Sequence, residues 1–469
     1  MRIVAGWAVL GVLIVGVLAA AGRDVELLPA APPAAAPSVA DVPADPVTDA
    51  LIADLGSADY KAREKAGKAL AVQGEKALPA LRHALTTTEN PEVARRVSAL
   101  VRKMDHERLV APKRVTLSMK DKPAKTIFDE IARQTGYKID FQVGGRNGDE
   151  REAKHTFAFD DTPFWVAVDT VAEAAGVGVY TDYDSDAVQI NSYSETHNPH
   201  VAYAGPFRLL ATGIGSNKNR QLSGLNRRGF TPHAPENINL SFQVQSEPKN
   251  PILGASPAEL LVATDETGSS LVPPKTDNNN GYSSRSGYYN SGSRGHNATG
   301  NVQLVRAGKD ATTVKSLKGK IGIVLLAGTS PEVTILDPVK ASKKKLLGRS
   351  VEVDYDSTTE VAGQAGQYSI SLTIKRLGGS DDPNQVDYNW SNTVWQKLEL
   401  VDAKGGRYRS YGPNSSNNNG NSVQMTIQFA PDNRRGVPQK LGPPVKLVFN
   451  EWHQVTQEVT FEFKDVPLP

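Results

Sequence analysis

The sequence predicts a multidomain α+β chain dominated by strands: a short α-helical repeat, a small α/β domain of βαββαββ order, and two C-terminal antiparallel β-sandwiches. Three observations lead there. At 469 residues the chain is too long for one core and fits about three or four domains. Apolar residues recur at helical spacing only in residues 46–110 and in two short stretches of 113–192. Beyond residue 193 they alternate with polar ones, the period of a strand with one buried face.

The chain opens on Met1-Arg2, runs from Ile3 to Ala20 without a charge, and reaches small residues at Ala19-Ala20-Ala21-Gly22. Basic, apolar and small regions in that order make a secretory signal. The run also approaches the ~18–20 residues that cross a bilayer. Residues 1–22 are therefore expected to be a signal peptide or an N-terminal membrane anchor, with residues 3–21 in the membrane if uncleaved. Residues 23–45 are rich in Pro and Ala and read as an extended linker.

Residues 46–110 read as four helices. Val47, Leu51, Ile52 and Leu55 share one face, and Ala62, Ala66, Ala69 and Leu70 another, with Gly74 placed to stop the second helix in a left-handed cap. Leu78, Leu81 and Leu85 mark a third helix, with Pro79 in its first turn. Asn90-Pro91 is an N-cap followed by proline, and Val93, Val97, Leu100, Val101 and Met104 form the stripe of the fourth. Two helix hairpins opening on Asp59-Tyr-Lys-Ala-Arg-Glu and Asn90-Pro-Glu-Val-Ala-Arg-Arg resemble HEAT-like repeats. Such repeats close a core from three or more units, so the fourth helix is expected to lean on the next domain.

Residues 113–192 pass twice through strand, helix and strand. Val115, Leu117 and Met119 alternate, Ala124, Ile127, Phe128 and Ile131 follow at helical spacing, and Tyr137, Ile139 and Phe141 alternate again. The second pass runs from Phe157 through Phe164, Trp165, Val168 and Val171 to Val179, and Val188 and Ile190 close a hairpin. Lys122-Pro123 before the first helix and Thr135-Gly136-Tyr137 after it resemble the short N-terminal domain of secretins and TonB-dependent receptors. The second half departs from that family, with Ala174-Ala175-Gly176 at the helix end and a charged insert at 143–153.

From residue 200 onward, Ile238, Leu240, Phe242 and Val244 alternate with polar residues, as do Tyr368, Ile370, Leu372 and Ile374, then Val423, Met425, Ile427 and Phe429. Residues 200–345 and 346–469 are each expected to form a β-sandwich of about seven strands, joined near Ala341–Leu347. Two stretches offer too little apolar surface to order themselves: a disordered loop at 274–300 and a Gly/Asn/Ser-rich one at 411–422. The strands flanking the first, around Leu260-Leu261-Val262 and Val302-Gln-Leu304, are expected to pair.

Chemistry is sparse. The absence of cysteine excludes disulfides, thiol catalysis and thiolate metal sites. A net charge of +2, from 53 basic and 51 acidic residues, supplies no global field for nucleic acid, which is not expected as a partner. The nucleophile-elbow, P-loop, zinc-protease and dinucleotide motifs are missing, and Gly213-Ile-Gly215 reads as a strand bend. Asp182, Asp184 and Asp186 alternate as in a calcium loop, but Ala187 and Tyr193 fall where that loop needs Gly and a carboxylate, so they read as a turn. His197 and His200 flank Pro199 and read as linker residues. Lys343-Lys344-Lys345 reads as a solvated linker face. Asn239, Asn297, Asn389 and Asn414 match the glycosylation sequon, a match near chance in an Asn/Ser-rich chain.

Within 274–300, Tyr282, Arg285, Tyr288, Tyr289, Arg294 and His296 mix aromatic and cationic groups, which grip polymers by stacking and charge. These are the candidate interaction residues. No catalytic, cofactor or metal residue is expected. The function expected is a non-catalytic exported or membrane-anchored envelope protein that binds other envelope proteins or a surface polymer. A carbohydrate-active or peptidase-like hydrolase, its carboxylates brought together from distant loops, is the alternative.

Overall fold

The computed structural model describes residues 45–142, 153–181, 186–192, 198–217, 237–273, 294–306, 310–378, 388–432 and 439–469. The expected signal or anchor lies outside them. Among the described residues no helix is long and apolar enough to cross a membrane. The chain is a β-rich α+β protein with several sheets.

Side chains cap the first helices. Asp45 accepts from the Val47 N–H at the start of α1 (Pro46–Asp54), and Asp59 from Lys61 at the start of α2 (Tyr60–Gln73). A 3-10 turn at Gly74–Lys76 leads to α3 (Leu78–Thr87). Asn90 accepts from Glu92 and Val93 at the start of α4 (Pro91–Val110). Gly74 ends α2 with φ 58°, but its ψ of −131° directs the chain into the 3-10 turn instead of a left-handed cap. Leu55, Leu70, Leu81 and Val97 are fully buried in a core that these helices make themselves.

The α/β domain repeats after forty residues (114 to 154 and 124 to 164). β1 (Arg114–Pro123), α5 (Ala124–Thr135) and β2 (Lys138–Gln142) are followed by β3 (Lys154–Pro163), α6 (Phe164–Ala175) and β4 (Gly178–Thr181), and then by β5 (Ala187–Asn191). Each helix ends on a left-handed glycine, Gly136 at φ 69° and Gly176 at φ 64°. β1 pairs with β3, while β5 lies between β2 and β4. Phe128, Phe164, Trp165 and Val168 fill the core.

The β region has three sheets. The first, ordered β11-β8-β7-β6, contains β6 (Val201–Ala204), β7 (Phe207–Asn217), β8 (Asn237–Ser246) and β11 (Asn297–Val305). The second, ordered β13-β14-β15-β18-β17, contains β13 (Lys344–Leu347), β14 (Val351–Glu360), β15 (Tyr368–Arg376), β17 (Arg409–Asn418) and β18 (Ser422–Ala430). Between them runs the order β10-β12-β19-β16: β10 (Glu259–Asp265), β12 (Thr313–Leu336), β19 (Pro444–Pro467) and β16 (Leu398–Asp402), with β9 (Ile252–Ala255) also on β12. β12 and β19 are each 24 residues long and pair antiparallel from Thr313↔Pro467 to Leu336↔Lys446.

This ribbon overturns the expected division at 345/346. Val455, Val459, Phe461 and Phe463 of β19 belong to the core of the first sheet. Val333 and Ile335 of β12 belong to the core of the second, beside Leu447 and Phe449. Each β unit lends the end of its last strand to the other. The two units also share one topology. Three consecutive strands form a meander, the chain then joins the central sheet (β9 and β10, or β16), a later strand returns beside the meander's third strand (β11 or β18), and the long strand closes the unit; β17, at the edge beside β18, is an addition in the second unit. Their corresponding turns match bond for bond. Asp265 Oδ1 accepts from the N–H of Thr267 and Ser269, and Asp402 Oδ1 from Lys404 and Gly406. Gly268 and Gly405 supply φ values of 84° and 80° there.

Four further expectations are corrected. Residues 297–300 belong to β11 and not to a loop, and β10 and β11 pair with β12 and β8 instead of with each other. The Gly/Asn/Ser-rich stretch at 411–422 lies mostly in β17, an edge strand whose backbone pairs with β18 while its polar side chains face water. Lys343, Lys344 and Lys345 are exposed, as expected of a solvated face, but Lys344 and Lys345 open β13 instead of lying in a linker, and Lys345 pairs with Glu352 at 2.9 Å.

Candidate interaction site

Helix α4 does not lean on the α/β domain. It packs on the ribbon, where a bulge between Leu326 and Gly328 turns the Ala327 carbonyl outward. Arg82 and Arg108 donate to that oxygen at 3.3 and 2.8 Å, and Asp105, 3% exposed, stands 2.7 and 3.6 Å from the two guanidiniums. His106 and Gln457 meet at 2.8 Å alongside.

Of the candidate interaction residues, Tyr282, Arg285, Tyr288 and Tyr289 lie outside the described residues. Arg294 and His296 fall on the stem that follows them, where three units meet. The Arg294 N–H donates to Gln396 Oε1 of the second β unit at 2.6 Å. Gly295 exchanges backbone bonds with Ile252 of the first. His296 and Asn297, both buried, reach the α/β domain: His296 Nε2 lies 3.1 Å from Asp186 Oδ1, and Asn297 Oδ1 accepts from Thr181 Oγ1 at 2.7 Å. Asn297 also donates to the Thr181 carbonyl, so this sequon asparagine is committed to the joint.

Ser246, His296 and Asp186 form a sequence of side chains that resembles an acyl-transfer triad, and sequence reading missed it. Its geometry serves structure. Ser246 is fully buried, donates to the Asn250 carbonyl at 2.6 Å, and stands 3.4 Å from His296 Nδ1. A nucleophile needs its lone pair aimed at open space and its proton on the base. Here the proton is held by a backbone carbonyl.

Two more polar clusters tie the α/β domain to the first β unit. Arg208 Nε lies 2.8 Å from Asp169 Oδ2, both about nine-tenths buried, and Tyr203 donates to the same oxygen at 2.6 Å. The Arg208 guanidinium covers the Trp165 ring at 5.6 Å, and Trp165 Nε1 donates to the Pro206 carbonyl. Burial, with the Asp169 charge beside it, pushes the Tyr203 phenol up. Nearby, Tyr137 Oη donates to Glu247 Oε2 at 2.6 Å, and burial raises that phenol as well.

A groove of about 620 Å³ lies between β6 and β19. It is lined by His200, Tyr203, Lys318, Glu462 and Lys464, among others. His200 Nδ1 meets the Lys464 carbonyl at 3.1 Å, so this histidine fastens a sheet edge. His197, Asp182 and Asp184 lie outside the described residues. Among the described residues no three His, Cys, Asp or Glu side chains are placed to hold a metal ion.

No family model, curated protein or solved structure matches this chain.

Proposed function

We propose that this chain is a non-catalytic exported envelope protein, held at the membrane through residues 3–21 when they are retained, that acts as an interaction and structural module. Its parts are a HEAT-like helical pair, an α/β domain of the secretin N-terminal kind, and two β-sandwiches fused through exchanged strands. The observation that carries this reading is the fate of the buried charges. Asp169 and Glu247 each bridge two units, and Asp105 holds the two guanidiniums, Arg82 and Arg108, that reach from the helices to the ribbon, so these buried carboxyl groups serve to hold the units together. A stiff body of this kind suits presenting the Tyr/Arg segment 274–293 to a partner, and a surface polymer is the partner that stacking and cationic groups fit.

The test is co-sedimentation of the full-length protein with purified cell-wall polymer. Replacement of residues 276–292 by a short Gly/Ser linker, and separately Tyr288→Ala/Tyr289→Ala, should each abolish the sedimented fraction. Unchanged sedimentation in both variants removes the segment from the reading. Release of soluble polymer fragments by the wild type would favour the hydrolase.

A further inference from the structure

The joint between the α/β domain and the first β unit contains one buried carboxylate with no cation against it. Glu247, in the turn between β8 and β9, is 1% exposed. Its donors come from two other units. Tyr137 of the α/β domain gives its hydroxyl at 2.6 Å, and the Lys113 backbone N–H, in the segment behind α4, lies 3.1 and 3.2 Å from the two oxygens. Charged groups face the cluster from each side. Lys113 and Arg108 stand on the α4 side, and Lys249 holds its Nζ 5.5 Å over the Tyr137 ring from the β side. Among the described residues none comes within the 4 Å of an ion pair with Glu247. Of the other carboxylates described at this joint, Asp169 is paired with the Arg208 cation, and Asp186 lies 3.1 Å from His296 Nε2.

An ionised carboxylate so placed has lost its water and gained two neutral donors, which is less than ionisation requires. Burial accordingly pushes the Glu247 carboxyl up to about 7, against the downward pull of Tyr137 and Lys113. We propose that this joint is a proton-operated latch: protonated Glu247 keeps the α/β domain docked on the β unit, and ionisation of Glu247 loosens it.

The sign follows from linkage. A carboxyl raised in the docked state contributes its stabilisation fully below its free value of 4.5, and that contribution is lost as pH rises through about 7. Undocking returns the group to water. The docking equilibrium should therefore weaken by roughly 10²-fold between pH 5 and pH 8. The domain that loosens carries Trp165 and Tyr137, so their buried faces become available as pH rises. The latch is independent of what segment 274–293 binds.

The experiment is amide hydrogen exchange on the full chain at pH 5, 6.5 and 8, corrected for intrinsic rates. Protection of α5 and β2 should fall by roughly 10²-fold across the range, while β15 holds constant. Glu247→Gln keeps an acceptor for Tyr137 and Lys113 but cannot ionise, and it should remove the dependence. A flat wild-type profile, or an undiminished dependence in Glu247→Gln, overturns the proposal. Should the variant fail to fold, the ¹³C carboxyl shift of Glu247 in the wild type decides. A midpoint near 7 that tracks α5 exchange supports the latch, and one near 4.5 sinks it.

Discussion

Removing the Asp105 carboxylate should release the helical segment from the ribbon. Asp105→Ala leaves two guanidiniums, Arg82 and Arg108, converging on the Ala327 carbonyl with no counter-charge. Breaking a fully buried pair costs about 3–5 kcal/mol, and an exposed one about 0–1 kcal/mol. Here the carboxylate is 3% exposed while the Arg82 and Arg108 side chains keep 32% and 31% of their surface, so water reaches the stranded cations. The loss should lie between the limits, at about 2 kcal/mol, or about 4–8 °C in melting temperature for a cooperative unit of ordinary size. Differential scanning calorimetry reads the shift, and hydrogen exchange should place the lost protection in α3, α4 and residues 450–457. Because replacing both partners of a buried pair by apolar groups is often neutral, Asp105→Leu/Arg82→Met should recover most of the loss. A single variant that melts within 1 °C of wild type would show that apolar packing, not this ion pair, seats the helices.

Other perturbations separate the fold's remaining fastenings. Gly300→Val would place a Cβ 2.7 Å from Cε2 of Phe242, whose ring fills the space a side chain would take, and should cost about 1–3 kcal/mol in urea unfolding. Replacing residues 276–292 by a Gly/Ser linker should leave melting nearly unchanged, whereas Asn297→Ala strips both bonds to Thr181 and should cost about 1–3 kcal/mol. A protease site inserted between Lys340 and Ser342, where β12 has ended and β13 has not begun, should give two fragments that co-elute after cleavage. Their separation without denaturant would contradict the strand exchange.

Local features of the fold were legible because their causes are local. Asp59 and Asn90-Pro91 announce helix starts, since a cap needs only a side-chain acceptor within three residues of the free N–H groups. The alternation of Tyr368–Ile374 announces a half-buried strand. The ribbon was not legible. β12 is interrupted by Gly328 and Pro331, and β19 by Asn450-Glu451-Trp452-His453, so each reads as two short runs. Composition misled at β17, because an edge strand is held by backbone pairing with β18 and needs few apolar side chains. The joints were invisible for another reason. Tyr137 and Glu247 lie 110 positions apart, as do Asp186 and His296, and nothing in either neighbourhood names its partner.

The strand exchange also changes what a domain is in this chain. In two tandem sandwiches, a destabilising change in one core leaves the other intact, because only a linker passes between them. Here Phe461 and Phe463 complete the first core, and Leu447 and Phe449, nearer the start of the same strand, complete the second. Neither core can lose its part of β19 without disturbing the backbone bonds that hold the other, and β12 couples them again from the opposite direction. The helices add to this coupling, since Arg82 and Arg108 grip the ribbon at Ala327, where the part of β12 in the first core ends. The β units therefore behave as one cooperative body. The α/β domain, fastened by side-chain bonds at Glu247, Asp169 and Asn297 and, among the described residues, by no shared strand, is the part free to loosen alone.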